Sequence, residues 1–215
     1  MQTVISQAPY WDRVADEKRF SHPLNLDWLQ RCSKQQARIL DYGCGYGRTL
    51  TELSQAGFEN LVGADFSQAM LARAAVTAQH SMFVRNDGYG LPFNDDCFDA
   101  VLLFAVLTCI PDGDQQLSLL AETKRVLRPG GLLYLSDVLV NDDARNLERY
   151  ARDARKYNCY GVFELPEGVV VRHHRKEWIV EITSSFQQLE YEPFEVTTMN
   201  GNASAAFQYL GRKPV

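Results

Sequence analysis

The sequence feature that most constrains the fold is the stretch at residues 38–48, where a short apolar run leads directly into glycines. The run reaches Asp41, and glycines then stand at every second position: Gly43, Gly45 and Gly47. Because glycine has no Cβ, the backbone of such a turn can approach a bound molecule closely. Residues 49–56 continue with apolar side chains at helical spacing. The stretch therefore predicts strand, tight turn and helix, with the turn at the strand end where open α/β sheets bind their ligands.

Further strands and helices alternate along the next hundred residues. Strands are predicted at residues 38–42, 61–65, 82–84, 98–104 and 132–139, with helices between them. This alternation indicates right-handed βαβ units in a mostly parallel sheet. After a predicted helix at 177–189, two β-prone runs at 194–199 and 204–210 flank Asn200-Gly201, which is a strong hairpin signal. The sheet is therefore expected to end in an antiparallel hairpin.

The glycine spacing discriminates between cofactors. A dinucleotide fingerprint places a third glycine at the sixth position, and counting from Gly43 that position is Arg48. The pattern Asp-x-Gly-x-Gly-x-Gly that starts at Asp41 instead resembles the first motif of the class I S-adenosylmethionine-dependent methyltransferases. That resemblance implies a Rossmann-like three-layer α/β sandwich whose mostly parallel seven-stranded sheet carries a C-terminal antiparallel hairpin. A tight turn without a ligand is the alternative at this point.

The resemblance implies S-adenosyl-L-methionine as the cofactor and assigns roles to residues at the strand ends. Asp65, at the end of the second strand, would accept hydrogen bonds from both ribose hydroxyls, or it could be only an acid at a helix start. Asp87 and Gly88 would hold the adenine, or could form a turn. Asp41 would orient the loop or water near the methionyl amine. The candidate cofactor-binding residues are Tyr10, Asp41, Gly43, Gly45, Gly47, Arg48, Asp65, Phe66, Asp87, Gly88 and Phe104.

Three of these candidates have equally plausible structural interpretations. Arg48 could reach the methionyl carboxylate, or it could be a solvated surface residue. Tyr10 could fold over the cofactor as part of a lid, or only anchor a helix. Phe104 could lie beside the ligand or pack in the core.

Composition limits the possible partners. The 215 residues include 22 basic and 27 acidic side chains, so the net charge of −5 favours neither nucleic acid nor a membrane surface. The five scattered cysteines form no metal-ligand spacing and indicate reduced thiols in the cytoplasm. The apolar run at 100–110 is too short to cross a bilayer, and the N-terminal residues lack the pattern of a signal peptide. We expect a cytoplasmic protein that acts on small molecules; the oligomeric state stays open.

Residues 140–176 depart from a bare methyltransferase scaffold. We expect one domain over residues 1–215, with an N-terminal helical segment at about 8–34 and this insertion as a cap over the substrate. His173 and His174 are the candidate catalytic bases, and their basic neighbours would suit an anionic substrate. A water-exposed helix entry is the alternative, and a metal site is not expected because no third ligand is in view.

The sequence thus predicts methyl transfer from S-adenosylmethionine to oxygen, nitrogen, sulfur or activated carbon of a small molecule. No Asn-Pro-Pro-Tyr motif follows the fourth strand, where residues 104–107 read Phe-Ala-Val-Leu. This weakens an amino-group target on nucleic acid or protein. A non-catalytic adenosylmethionine-binding protein and a nucleotide-dependent oxidoreductase are the alternatives.

Overall fold

A mixed sheet forms the centre of the computed structural model, which describes residues 7–86 and 90–215. The strands in this part of the chain are β1 (Arg38–Tyr42), β2 (Asn60–Asp65), β3 (Met82–Arg85), β4 (Phe98–Phe104), β5 (Leu127–Val138), β6 (Val162–Glu164), β7 (Val170–Arg172), β8 (Gln187–Thr197) and β9 (Ala203–Arg212). Seven of them form the main sheet in the order β3-β2-β1-β4-β5-β9-β8, and β6 pairs with β7 separately. β1 to β5 are parallel, whereas β9 is antiparallel to both of its neighbours. The predicted mostly parallel sheet with a terminal antiparallel hairpin is confirmed.

Helices cover both faces of the sheet. They are α1 (Ala8–Val14), α2 (Leu26–Cys32), α3 (Arg48–Gln55), α4 (Gln68–Thr77), α5 (Gly113–Val126), α6 (Ala144–Tyr157) and α7 (Lys176–Ile182). Successive strand residues point to opposite faces, so Leu40 packs in the core with α5 and α7 while Ile39 packs in the core with α2 and α3. Burial on both faces explains why β4 is apolar without interruption from residue 100 to residue 104.

The strand order reverses beside β1. β2 and β3 extend the sheet on one side of β1, whereas β4 and β5 extend it on the other. The helices that follow β1 and β4 therefore leave in opposite directions and open a crevice at the carboxyl ends of these two strands. Residues 43–47 and 105–110 lie at this crevice, and so the fold places the glycine-rich turn where a ligand can enter.

One predicted helix is too long. The sequence predicts a helix at 177–189, but α7 ends at Ile182 and β8 already begins at Gln187. Tyr191 pairs with Tyr209 of β9 and stacks its ring on Phe207 at 5.8 Å between centroids. These cross-strand contacts outweigh the local helical pattern. The hairpin turn itself is confirmed, since Gly201 has φ 77° and donates its N–H to the Thr198 carbonyl at 2.8 Å.

Candidate functional site

The glycine turn after β1 has no room for side chains. Gly43, Gly45 and Gly47 have φ values of 72°, 52° and 81°, in the left-handed region that favours glycine. A Cβ on Gly43 would lie 2.6 Å from Val106 Cγ2, and one on Gly45 would lie 2.6 Å from Phe20 Cε2. The glycines therefore allow both the turn and the close approach of neighbouring groups.

Asp65 connects the ends of β1 and β2. Its Oδ2 accepts the Gly45 N–H at 2.9 Å, and its Oδ1 accepts the Ser67 N–H at 2.9 Å. Burial raises the pKa of the Asp65 carboxyl, while these backbone donors act in the opposite direction. Because each carboxylate oxygen can accept more than one hydrogen bond, Asp65 holds the turn and still offers acceptor capacity at the crevice.

Asp41 is the second buried acid at this edge. It is 2% exposed, and its Oδ2 has no hydrogen-bond partner among the described residues. Burial raises the pKa of Asp41 to about 7; the Arg48 guanidinium lowers it and the Asp65 carboxyl raises it further. An unpaired buried acceptor is costly, and a cationic ligand group would satisfy it.

The remaining predicted cofactor residues have different contacts in the structure. Arg48 places Nη1 2.6 Å from Glu52 Oε1 and donates from Nη2 to the His22 carbonyl at 2.6 Å, so both terminal nitrogens are engaged within the protein. Phe104 packs edge-on against Tyr134 at 4.8 Å. Phe66 is partly buried beside Asp65 and packs in a cluster that includes Tyr10. Asp87 and Gly88 lie outside the described residues.

Residues 7–23, here called the N-terminal strap, cross the crevice and attach to both sides of it. Asp12 Oδ1 accepts from Ser67 Oγ at 2.6 Å and from the Ala69 N–H at 3.1 Å, which joins α1 to the start of α4. Phe20 stacks on Tyr46 in the glycine turn at 5.3 Å between centroids. Further hydrogen bonds join Gln7 to Cys109 and Val170, and His22 to Ser136. The strap therefore forms one wall of the site.

A cavity of about 110 Å³ lies beneath the strap. Its other walls come from the end of β4, the start of α6, the β6–β7 pair and the β8–β9 turn. The apolar wall includes Trp11, Phe20, Val138, Phe163, Val171 and Met199. The polar wall includes Arg19, Arg145, Arg149 and His173. This mixture of apolar surface with a few directed polar groups is typical of small-molecule sites.

The two candidate histidines have different surroundings. His173 lines the cavity, with its Nδ1 2.6 Å from the Tyr150 hydroxyl, and no described residue is hydrogen-bonded to its Nε2. His174 does not line the cavity; its Nδ1 donates to the Val138 carbonyl at 3.2 Å, and its Nε2 accepts from Gln116 Nε2 at 3.0 Å. Burial lowers the pKa of each imidazole to about 3, with Arg149 the next cause at His173 and Arg172 the next at His174. Of these two histidines, only His173 lines the cavity and has a ring nitrogen without a hydrogen-bond partner among the described residues.

From the sequence, the basic character of the site was assigned to the neighbours of His173 and His174, and the arginines that line the cavity were not identified. Arg172 instead lies over Trp178 at 4.6 Å and Arg175 over Tyr160 at 5.0 Å, and neither lines the cavity. Arg145 and Arg149 take that place from α6. Their spacing of four residues on an amphipathic helix is the signal that could have found them, because residues four apart share a helix face.

No helix among the described residues is long and apolar enough to cross a membrane.

Comparisons with known proteins agree with this geometry. A family model described as "Methyltransferase domain" matches residues 40–135. Methyltransferase GfsG of Streptomyces halstedii is 34% identical over 109 residues, which are 48% of this chain and 38% of that protein. The 27-O-demethylrifamycin SV methyltransferase of Amycolatopsis mediterranei is 31% identical over 125 residues, covering 55% of this chain and 45% of that protein. The chain thus spans less than half of the length of these two curated relatives.

A solved structure extends the likeness over most of the chain. A SAM-dependent methyltransferase from Methanosarcina mazei superposes with a TM-score of 0.82 at 25% identity, covering 87% of this chain and 97% of that one. The strand order, the glycine turn and these likenesses lead to one conclusion. Residues 40–135 form a methyltransferase domain, and the likenesses support the class I type with S-adenosylmethionine as its cofactor.

Proposed function

We propose that the chain transfers a methyl group from S-adenosylmethionine to a small-molecule acceptor held in the cavity beneath the N-terminal strap. The observation that carries this proposal is the position of the cavity, which shares its Phe20 wall with the glycine turn. The matched relatives are methyltransferases by name. We keep the predictions of a cytoplasmic location and of an acceptor other than nucleic acid as part of this proposal.

The residues at the sheet edge fit the cofactor. Asp65 has acceptor capacity for ribose hydroxyls while it fixes the turn through Gly45 and Ser67. The unpaired Oδ2 of Asp41 offers a buried anionic partner for the methionyl ammonium. Because Gly43 and Gly45 lack a Cβ, Val106 and Phe20 can pack directly against the turn that would hold the cofactor. Asp41 and Asp65 are thus our proposed cofactor contacts; Tyr10 and Phe66 pack in one apolar cluster and stay predicted contacts.

The bound cofactor would supply an electrophilic methyl carbon on a sulfonium. The protein must then hold the acceptor in line with that carbon and exclude water, and such orientation alone is worth roughly 10⁵ M or more in effective concentration. The strap and the apolar cavity wall perform this task. His173 can take a proton from the acceptor when its Nδ1 donates to Tyr150, because Nε2 then keeps a free lone pair.

The cofactor contact is tested by titrating S-adenosylhomocysteine into the folded full-length chain by calorimetry. We expect Asp65→Ala to weaken binding by about 100-fold or more, since it removes charged acceptors and frees the turn. Asp95→Ala is the control, because this acid is exposed and ion-paired with Arg125 away from the crevice. Asp65→Asn tests the charge while keeping the side-chain shape. Absence of detectable binding to folded wild-type protein would overturn the proposed function.

A further inference from the structure

The cavity wall is strongly biased in charge. Three arginines line it, Arg19, Arg145 and Arg149, while none of the described lining residues is Asp or Glu. The chain as a whole is acidic, with a net charge of −5. A cavity of one sign with apolar walls concentrates ligands of the opposite sign. The bias is therefore local to this cavity.

Arg149 is held rigidly but is not neutralised. Its guanidinium lies over the Phe163 ring at 4.0 Å, and its Nε and Nη2 both donate to the Asn146 Oδ1, a neutral amide. Within residues 7–86 and 90–215, Arg149 forms no ion pair, and its Nη1 donates no hydrogen bond. Burial lowers the pKa of this guanidinium, and the neighbouring Arg145 lowers it further. The guanidinium plane is thus fixed while Nη1 is left to donate.

Other cations of α6 show the contrast. Arg152 donates to the Asp153 carboxylate at 2.7 Å, and Lys156 forms an ion pair with Glu164. Neither of these lines the cavity. Arg145, on the cavity side, has only a long contact of 3.7 Å with Asp143. Arg152 and Lys156 are therefore paired with acids, whereas Arg145 and Arg149, which line the cavity, lack a close acidic partner.

We propose that the methyl acceptor is a small molecule with an oxyanion group, a carboxylate or a phosphate monoester, which Arg149 and Arg145 bind. Arginine suits this task because its planar donors match oxyanions. The apolar body of the acceptor would lie against Phe163 and Trp11, with the accepting atom at His173. This inference rests on the proposed function for the reaction, but the anion site can be tested by binding alone.

A bound oxyanion would also change His173. Burial is the main cause of the lowered pKa of this imidazole, and Arg149 and Arg145 lower the pKa further. An anion between the two guanidiniums would offset the part of the shift that they cause. His173 would then be a better base with the acceptor in place than without it.

The test uses three ligands that share one ring: benzoate, phenyl phosphate and the neutral benzamide. Each is titrated by calorimetry into the full-length chain saturated with S-adenosylhomocysteine, at low and high salt. We expect one of the anions to bind at least 10-fold more tightly than benzamide, and salt to weaken that binding. Which anion binds distinguishes a carboxylate site from a phosphate site.

Variants then locate the anion site. Arg149→Gln and Arg145→Gln should each weaken anion binding by about 10-fold or more without changing S-adenosylhomocysteine binding, and Arg149→Lys should restore part of it. Arg152→Gln is the matched control on the same helix and should bind as wild type. If Arg149→Gln does not fold, the anion affinities of Arg145→Gln and Arg149→Lys are used to test the site instead.

The following outcomes overturn the inference. One is equal binding of the anions and benzamide; another is no anion binding to protein that does bind S-adenosylhomocysteine; a third is unchanged anion affinity in both folded glutamine variants. Failure to bind S-adenosylhomocysteine, by contrast, counts against the proposed function. Anion binding that persists in that case would still support the oxyanion site.

Discussion

The proposed cofactor edge and the proposed acceptor cavity lie side by side and carry opposite charge. The cofactor edge, made by the glycine turn with Asp41 and Asp65, is acidic, and burial raises the pKa of both carboxyls. The acceptor cavity is basic, and burial lowers the pKa of Arg149 and His173. A cationic cofactor and an anionic acceptor would each meet the opposite charge.

The two halves also differ in how the chain builds them. The cofactor edge comes from consecutive βα units inside residues 40–135, the part that matches the methyltransferase family. The cavity combines the strap with residues 138–173 and 198–202, which lie outside that match, and only a short segment at 105–109 lies inside it. A cofactor that is common to a family needs a common local frame, whereas acceptor selectivity can vary with the segments added around it.

The largest expected effect separates two results of replacing a glycine: the clash of the new Cβ with its neighbours, and the backbone strain of a positive φ. Gly43→Ala should abolish cofactor binding or weaken it by about 100-fold, because the new Cβ would meet Val106 in addition to the strain of φ 72°. Gly130→Ala is the control, since φ is 78° there and no atom lies within 4 Å of the new Cβ. Calorimetry with S-adenosylhomocysteine measures the difference. Equal effects in both variants would show that close packing at the turn is unimportant.

The second expected effect separates the two histidines. With a methyl acceptor that carries the anionic group preferred in the ligand series, His173→Gln should lower kcat by about 100-fold, the usual scale of a lost general base, while cofactor affinity is unchanged. His174→Gln should instead lower stability by about 1–3 kcal/mol, because Val138 and Gln116 lose a buried partner.

Steady-state kinetics and urea unfolding distinguish these two roles. Tyr150→Phe provides a further check, since it removes the hydroxyl at His173 Nδ1 and should change the pH profile of kcat. If His174→Gln alone lowers kcat while remaining as stable as wild type, the assignment of roles must be reversed.

The last expected effect concerns the stability that the protein loses when the buried Asp41 carboxyl ionises. The folded pKa of Asp41, about 7, lies above its ordinary value of 3.8, so its contribution to stability is present at low pH and lost as pH rises from about 4 to 7. Asp41→Asn should therefore be more stable than wild type at pH 8 by a few kcal/mol, with a smaller gain at pH 5. Urea unfolding at both pH values measures this, with exposed Asp16→Asn as control. A gain independent of pH would contradict the assignment.

Much of the fold followed from local pattern. The alternation of strands and helices, the parallel sheet and the Asn200-Gly201 hairpin were all predicted and confirmed, because burial on both faces and turn chemistry leave a direct mark on the sequence. The end of α7 was not predicted correctly. Pairing of β8 with β9 decides it, and that pairing is invisible in a local window.

The sequence by itself predicted the glycine turn of the proposed cofactor edge, because this turn directly follows β1 in the chain and glycine spacing is a local requirement. Only the tertiary structure decided the cavity. Arg149 faces it beside Phe163, whereas Arg152, three positions later, pairs with an acid outside it. Likewise His173 reaches the cavity and His174 does not, although they are neighbours. Helical spacing shows that Arg145 and Arg149 share one face of α6, but only the packing of distant segments decides that this face lines a cavity.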